Sequence, residues 1–139
     1  MRYESEFVGH LAHGDDIDVA DISPSLRFIS DRRSFDAALW RWCALHWSIP
    51  VSSGYGRRLR FLVLDQAHQD KVIGLIGLAD PVFSMRSRDQ WIGWDKVRRS
   101  SALVHVMDAF VLGAVPPYNS LRGGKLVALL AGSAEVRRV

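Results

Sequence analysis

Two runs, Arg58-Leu59-Arg60-Phe61-Leu62-Val63-Leu64 and Lys71-Val72-Ile73-Gly74-Leu75-Ile76-Gly77-Leu78, decide the fold. The first alternates and then becomes continuously apolar, as a strand entering a core does, and it follows the turn signal Ser52-Ser53-Gly54-Tyr55-Gly56. Gln66 to Asp70 supplies a turn between the runs, so the pair predicts an antiparallel hairpin. Gly74 and Gly77 weaken a strand unless something needs the space, which points to a bulge or to close approach of a backbone or ligand. Asp80-Pro81 ends the regular run.

Upstream, Ser34 can cap a helix, Asp36 suits the positive end of its dipole, and Phe35, Leu39, Trp42, Cys43 and His46 recur at helical spacing. A helix from Phe35 to Trp47 is predicted, stopped by Ile49-Pro50 because the residue before proline is pushed out of the helical region. Trp40, Trp42 and Trp47 read as core rather than as a stacking platform, and Cys43 as a small buried hydrophobe. Residues 1–33 show no sustained period and are expected to form a loosely ordered acidic lead-in that contributes little core, ahead of a domain over 34–139. His10 and His13 beside Asp15, Asp16 and Asp18 have no scaffold to fix them and are not read as a metal site.

Downstream, Met85 to Ser101 interleaves Arg86, Arg88, Lys96, Arg98 and Arg99 with Trp91 and Trp94. That mixture suits a single-stranded nucleic-acid groove, the arginines holding phosphates and Trp91 or Trp94 stacking on a base, or else a loop pinned to the core by its tryptophans. Leu103 to Val115 reads best as one long apolar strand interrupted by Asp108, with a helix over its first half as the alternative. It leads through Pro116-Pro117-Tyr118-Asn119-Ser120-Leu121-Arg122-Gly123-Gly124-Lys125 to the helical run Leu126 to Ala131. A helix start offers unpaired N–H groups and partial positive charge, and Arg122 and Lys125 add full charges. Tyr118, Asn119, Arg122, Gly123, Gly124 and Lys125 are therefore candidates to hold a phosphate, although a purely structural turn fits them equally. The pattern is not a Walker loop, because Asn119 and Leu126 stand where glycine and a hydroxyl would be needed. Gly132 can close this helix in the left-handed conformation, and Ser133 opens a last one too short to stand alone, so the chain is expected to be the front part of a longer domain.

Composition sets the outer limits. The chain has 139 residues, 18 Lys+Arg, 15 Asp+Glu and 48% hydrophobic residues, the scale of one domain. Mean hydropathy is +0.01, and no stretch approaches the ~20 apolar residues that span a bilayer. The single cysteine cannot form an internal disulfide, and the acidic, polar start does not resemble a secretory signal, so a cytoplasmic protein is expected. Residues 1–36 carry eight acids against four bases, whereas the remainder is net +7, a sign that suits polyanions or phosphates without specifying one.

The runs Gly54 to Val63, Leu75 to Phe83, Arg88 to Trp94 and, above all, Val111 to Asn119 with Gly123 to Ala128 resemble the DruA family, named for a component of the Druantia anti-phage defence system. The likeness covers roughly residues 35 to 139 in order, and family members usually continue beyond the Ser-x-Glu-Val-Arg segment. It implies a bacterial defence role beside a large helicase-like partner. The strand, glycine loop and helix are in turn similar to the acyl-CoA unit of GNAT acetyltransferases, which implies an α+β, GNAT-like partial domain with a mainly antiparallel sheet. The adjacent glycines depart from the usual GNAT loop, and the tyrosine general acid of those enzymes would lie beyond Val139. Three functions follow as expectations: nucleic-acid or partner binding in phage defence, acyl transfer from acyl-CoA, or an inactive fragment.

Overall fold

The computed structural model describes residues 3–51 and 54–139. Its secondary structure runs α1 (Glu4–Gly9), β1 (Pro24–Phe28), α2 (Phe35–Cys43), β2 (Arg58–Asp65), β3 (Lys71–Ala79), α3 (Arg86–Ile92), α4 (Lys96–Ala102), β4 (Asp108–Ala114), α5 (Gly123–Ala131) and α6 (Ala134–Arg137), with short 3₁₀ turns between. The strands form one antiparallel sheet in the order β1-β2-β3-β4, and the architecture is α+β.

Helices cover both faces, which explains why β2 and β3 are apolar at consecutive positions rather than at alternate ones. On one face Leu62, Leu64, Val72, Leu75 and Val111 pack with Phe7 of α1 and with Leu39, Trp40 and Cys43 of α2. On the other, Phe61, Val63, Ile73 and Ile76 pack with Tyr118, Val127 of α5 and Val136 of α6. A bulge permits this sorting: the β2–β3 register passes from Val63↔Gly74 to Leu64↔Val72, skipping Ile73. Gly74 sits where β4 and α5 come closest, so that a side chain there would strike the Gly113 carbonyl and come within 2.7 Å of Val127 Cγ2. The helix α2 is capped as expected, Ser34 Oγ accepting from the Ala37 N–H at 3.1 Å. It gives way to a 3₁₀ turn at Ala44–His46.

Four expectations need correction. Residues 3–33 are not a loose lead-in: Phe7 is buried against Phe35 and Trp42, with ring centroids 5.3 and 5.6 Å apart, and β1 pairs along β2 from Pro24↔Asp65 to Phe28↔Phe61. Such an edge strand takes its order from its neighbour and leaves no period in its own sequence. The Met85 to Ser101 stretch is two helices, with Gly93 at φ 79° ending the first and Asp95 accepting from the Arg98 N–H at 2.7 Å to start the second. The last strand begins only at Asp108, since Leu103–His105 form a 3₁₀ turn. Gly132 has φ −90° and is not left-handed, while Ser133 does cap a short α6 whose Val136 reaches the core.

Candidate functional site

The turn from β4 into α5 is locked by its own chain. Arg122, left-handed at φ 62°, donates its N–H to the Tyr118 carbonyl, and Lys125 donates its N–H to the Arg122 carbonyl at 3.0 Å. Gly123 opens α5 and is buried, and a Cβ on it would lie 2.7 Å from the Tyr118 carbonyl oxygen. Only Gly124 of the two glycines faces open space. Of the six residues proposed to hold a phosphate, Tyr118 is withdrawn completely: its ring is buried and its hydroxyl donates to Asp65 Oδ2 at 2.9 Å. Asn119 lines a small cleft of about 270 Å³ with Trp47 and Pro116, away from the Lys125 end of the turn.

Asp65, which the sequence analysis did not single out, is the centre of a buried network. It is fully buried and accepts from the Ser23 N–H at 3.0 Å, the Tyr118 hydroxyl and His68 Nδ1 at 2.8 Å. His68 Nε2 accepts in turn from the Asp18 N–H at 3.2 Å. Burial alone would raise the Asp65 pKa, but these hydrogen bonds and the neighbouring imidazole outweigh it and hold the carboxyl below its ordinary value. Burial and the same carboxylate push the Tyr118 phenol well up. With both His68 nitrogens engaged, the His–Asp pair fastens the 18–23 segment and the 3₁₀ turn after β4 to the sheet.

The basic–aromatic stretch divides in two. Asp89 is buried and accepts from Arg88 Nε at 2.9 Å, Arg88 Nη2 at 2.7 Å and Arg99 Nη1 at 3.0 Å. Arg88 also donates to the Val82 carbonyl at 2.8 Å and lies 5.6 Å from the Trp94 ring, while Arg99 lies 4.9 Å from the Phe83 ring. Burial would raise the Asp89 pKa, yet the two guanidinium groups bring it below the ordinary value. Arg88, Arg99 and Trp94 are thus a clamp that holds α3 and α4 together. Arg86, Trp91 and Arg98 point outward, Trp91 being 88% exposed.

Beside this clamp lies a cleft of about 920 Å³ lined by Gly56, Arg57, Asp80, Phe83, Leu103 and Phe110 among others. Arg57 closes one rim by donating its N–H and Nε to Asp80 at 2.8 and 2.7 Å, and Gly56, at φ 90°, sits directly over that carboxylate. Among the described residues no group of three or more His, Cys, Asp or Glu is placed to hold a metal ion, and no helix is long and apolar enough to cross a membrane.

A family profile described as Druantia protein DruA matches residues 1–139, including the segment left out of the sequence-level resemblance. Over 132 residues the chain is 48% identical to the Druantia protein DruA of Escherichia coli strain UMEA 4076-1, an alignment covering 95% of this chain and 32% of that protein. The chain therefore spans about a third of the length of that relative. No solved structure matches it significantly.

Proposed function

Because the chain belongs to the DruA family, we propose that it forms part of an anti-phage defence component and binds single-stranded nucleic acid across the outer surface of α3 and α4. The observation that carries the reading is Trp91, 88% exposed on α3 and flanked in sequence by exposed Arg86, Lys96 and Arg98. None of these three bases is ion-paired among the described residues, whereas Arg88 and Arg99 have carboxylate partners. A large exposed indole costs solubility without stabilising the fold, and a stacked base would cover it while the free bases meet phosphates. A helicase-like protein acting on the same strand is the partner such a module would serve.

Fluorescence anisotropy with single- and double-stranded DNA across a salt series tests this. Single strands should bind with affinity that falls steeply with salt, Trp91→Ala should weaken binding about 5- to 150-fold, and Arg98→Ala should reduce the salt slope by about 1. Salt-independent or absent binding, or a Trp91→Ala variant that binds like the parent, refutes the reading.

A further inference from the structure

Arg58 and Arg60 alternate at the start of β2 and therefore share the face covered by α2. There the end of α2 and the chain after it enclose a second cleft of about 550 Å³, lined by Trp40, Arg41, Trp47, Ile49, Arg58 and Arg60 among others. The Arg60 guanidinium lies 5.1 Å from the Trp40 ring centroid. Its Nε and the Trp40 Nε1 are both buried without a hydrogen-bond partner. Among the described residues no carboxylate stands within ion-pair distance of Arg60 or Arg41, and Arg41 Nη1 donates only to the Arg32 backbone carbonyl at 3.2 Å.

Half-buried Arg88 and Arg99 are treated differently, since both share Asp89. Even the more exposed Arg27 faces Asp70 and Asp36, and Arg57 faces Asp80. Desolvating a guanidinium is costly unless a negative charge and acceptors replace the lost water. Two guanidinium donors, a buried indole N–H and a rim bearing exposed Leu45 and Ile49 together lack one thing, an anion with acceptor oxygens and a flat or apolar body.

We propose that this cleft binds a nucleotide phosphate, with the oxygens between Arg60 and Arg41 and the base or sugar against the Trp47–Ile49 rim. Burial, and then the like charges of Arg58, Arg32 and Arg41, hold the Arg60 pKa below its ordinary value, the direction a bound anion would reverse. The inference does not rest on the α3–α4 reading, because the cleft uses none of those residues. The phosphate belongs either to a free nucleotide or to a unit of a strand, and both present the same oxygens.

The test measures binding of AMP, adenosine and a 5′-phosphorylated single-stranded oligonucleotide to the full chain and to Arg60→Met, Arg41→Gln and Trp91→Ala. AMP should raise the melting temperature of the parent relative to sodium chloride at equal ionic strength, and adenosine should not. Arg60→Met, which keeps the aliphatic stem over Trp40, should lose about tenfold or more of AMP affinity, and Trp91→Ala none. If only the strand binds, a similar loss in Arg60→Met and Arg41→Gln assigns the phosphate to a strand. Should Arg60→Met fail to fold, the exposed position of Arg41→Gln supplies the same reading. Unchanged affinity for both AMP and the strand in the folded arginine variants overturns the proposal.

Discussion

Replacing Tyr118 by phenylalanine deletes one oxygen, and with it the hydroxyl that donates to Asp65 Oδ2 at 2.9 Å in a fully buried setting. A hydrogen bond to a charged acceptor contributes about 1.5–3 kcal/mol net. Asp65 keeps the Ser23 N–H and His68 Nδ1, so the expected cost is near 2 kcal/mol, read as a lowered urea midpoint with an unchanged slope. The acid side carries a second signature. The folded-state pKa of Asp65 is depressed, since burial is outweighed by hydrogen bonds of which the Tyr118 bond is one. A depressed carboxylate contributes stability that is present above its unfolded pKa and lost as pH falls through its folded one. Without the phenol the depression is smaller, so the difference between parent and variant should be full at neutral pH and shrink as pH drops below 3.8. A neutral-pH difference under about 0.5 kcal/mol, or one that stays constant into acid, would refute the placement of Asp65 at the centre of the network.

Gly74→Ala should destabilise by about 1–3 kcal/mol, because its methyl would meet the Gly113 carbonyl and Val127 Cγ2 and neither can retreat. By contrast Gly124→Ala, with open space around it in the first turn of α5, should be neutral or stabilise by up to about 0.5 kcal/mol in urea unfolding. Cys43 is fully buried and its thiol is pushed up to about 12 by that burial, so thiol reagents at pH 8 should label it only at the rate of unfolding. Asp89→Asn leaves Arg88 and Arg99 without their carboxylate and should lower the melting temperature at neutral pH. As Asp89 also has a depressed pKa, that deficit should narrow on acidification, and one that persists in acid would contradict the clamp.

The hairpin was legible because its information is local: an alternating entry, an apolar run, a turn and an apolar run. The cap at Ser34 was legible for the same reason, and the glycine in β3 announced a close approach that α5 and β4 then supply. What the sequence hid was whatever depends on a partner distant in the chain. Asp65 looks like the polar end of a strand until Ser23 and Tyr118, 42 and 53 positions away, are brought to it. The lead-in looked formless because β1 borrows its order from β2 and Phe7 from the rings of Phe35 and Trp42. The glycine turn had the composition of an anion cradle, but composition does not reveal that two of its N–H groups, those of Arg122 and Lys125, go to the Tyr118 and Arg122 carbonyls.

The arginines carry the same lesson into function. In the sequence Arg57, Arg60, Arg86, Arg88, Arg98 and Arg99 are alike, one basic body suited to any polyanion. Folding divides them by whether an acid is waiting. Arg57 is neutralised by Asp80, and Arg88 and Arg99 are neutralised by Asp89 between α3 and α4. An arginine so paired gains little from a phosphate, because binding one would only exchange partners. Arg60 carries a desolvation cost that no carboxylate among the described residues offsets, and Arg86 and Arg98 are exposed. The free energy still to be gained from an anion is therefore largest at Arg60 and next at the Trp91 surface. Substituting Arg57, Arg88 or Arg99 should damage folding, whereas substituting exposed Arg41, Arg86 or Arg98 should leave the fold intact and weaken the binding proposed for their surfaces.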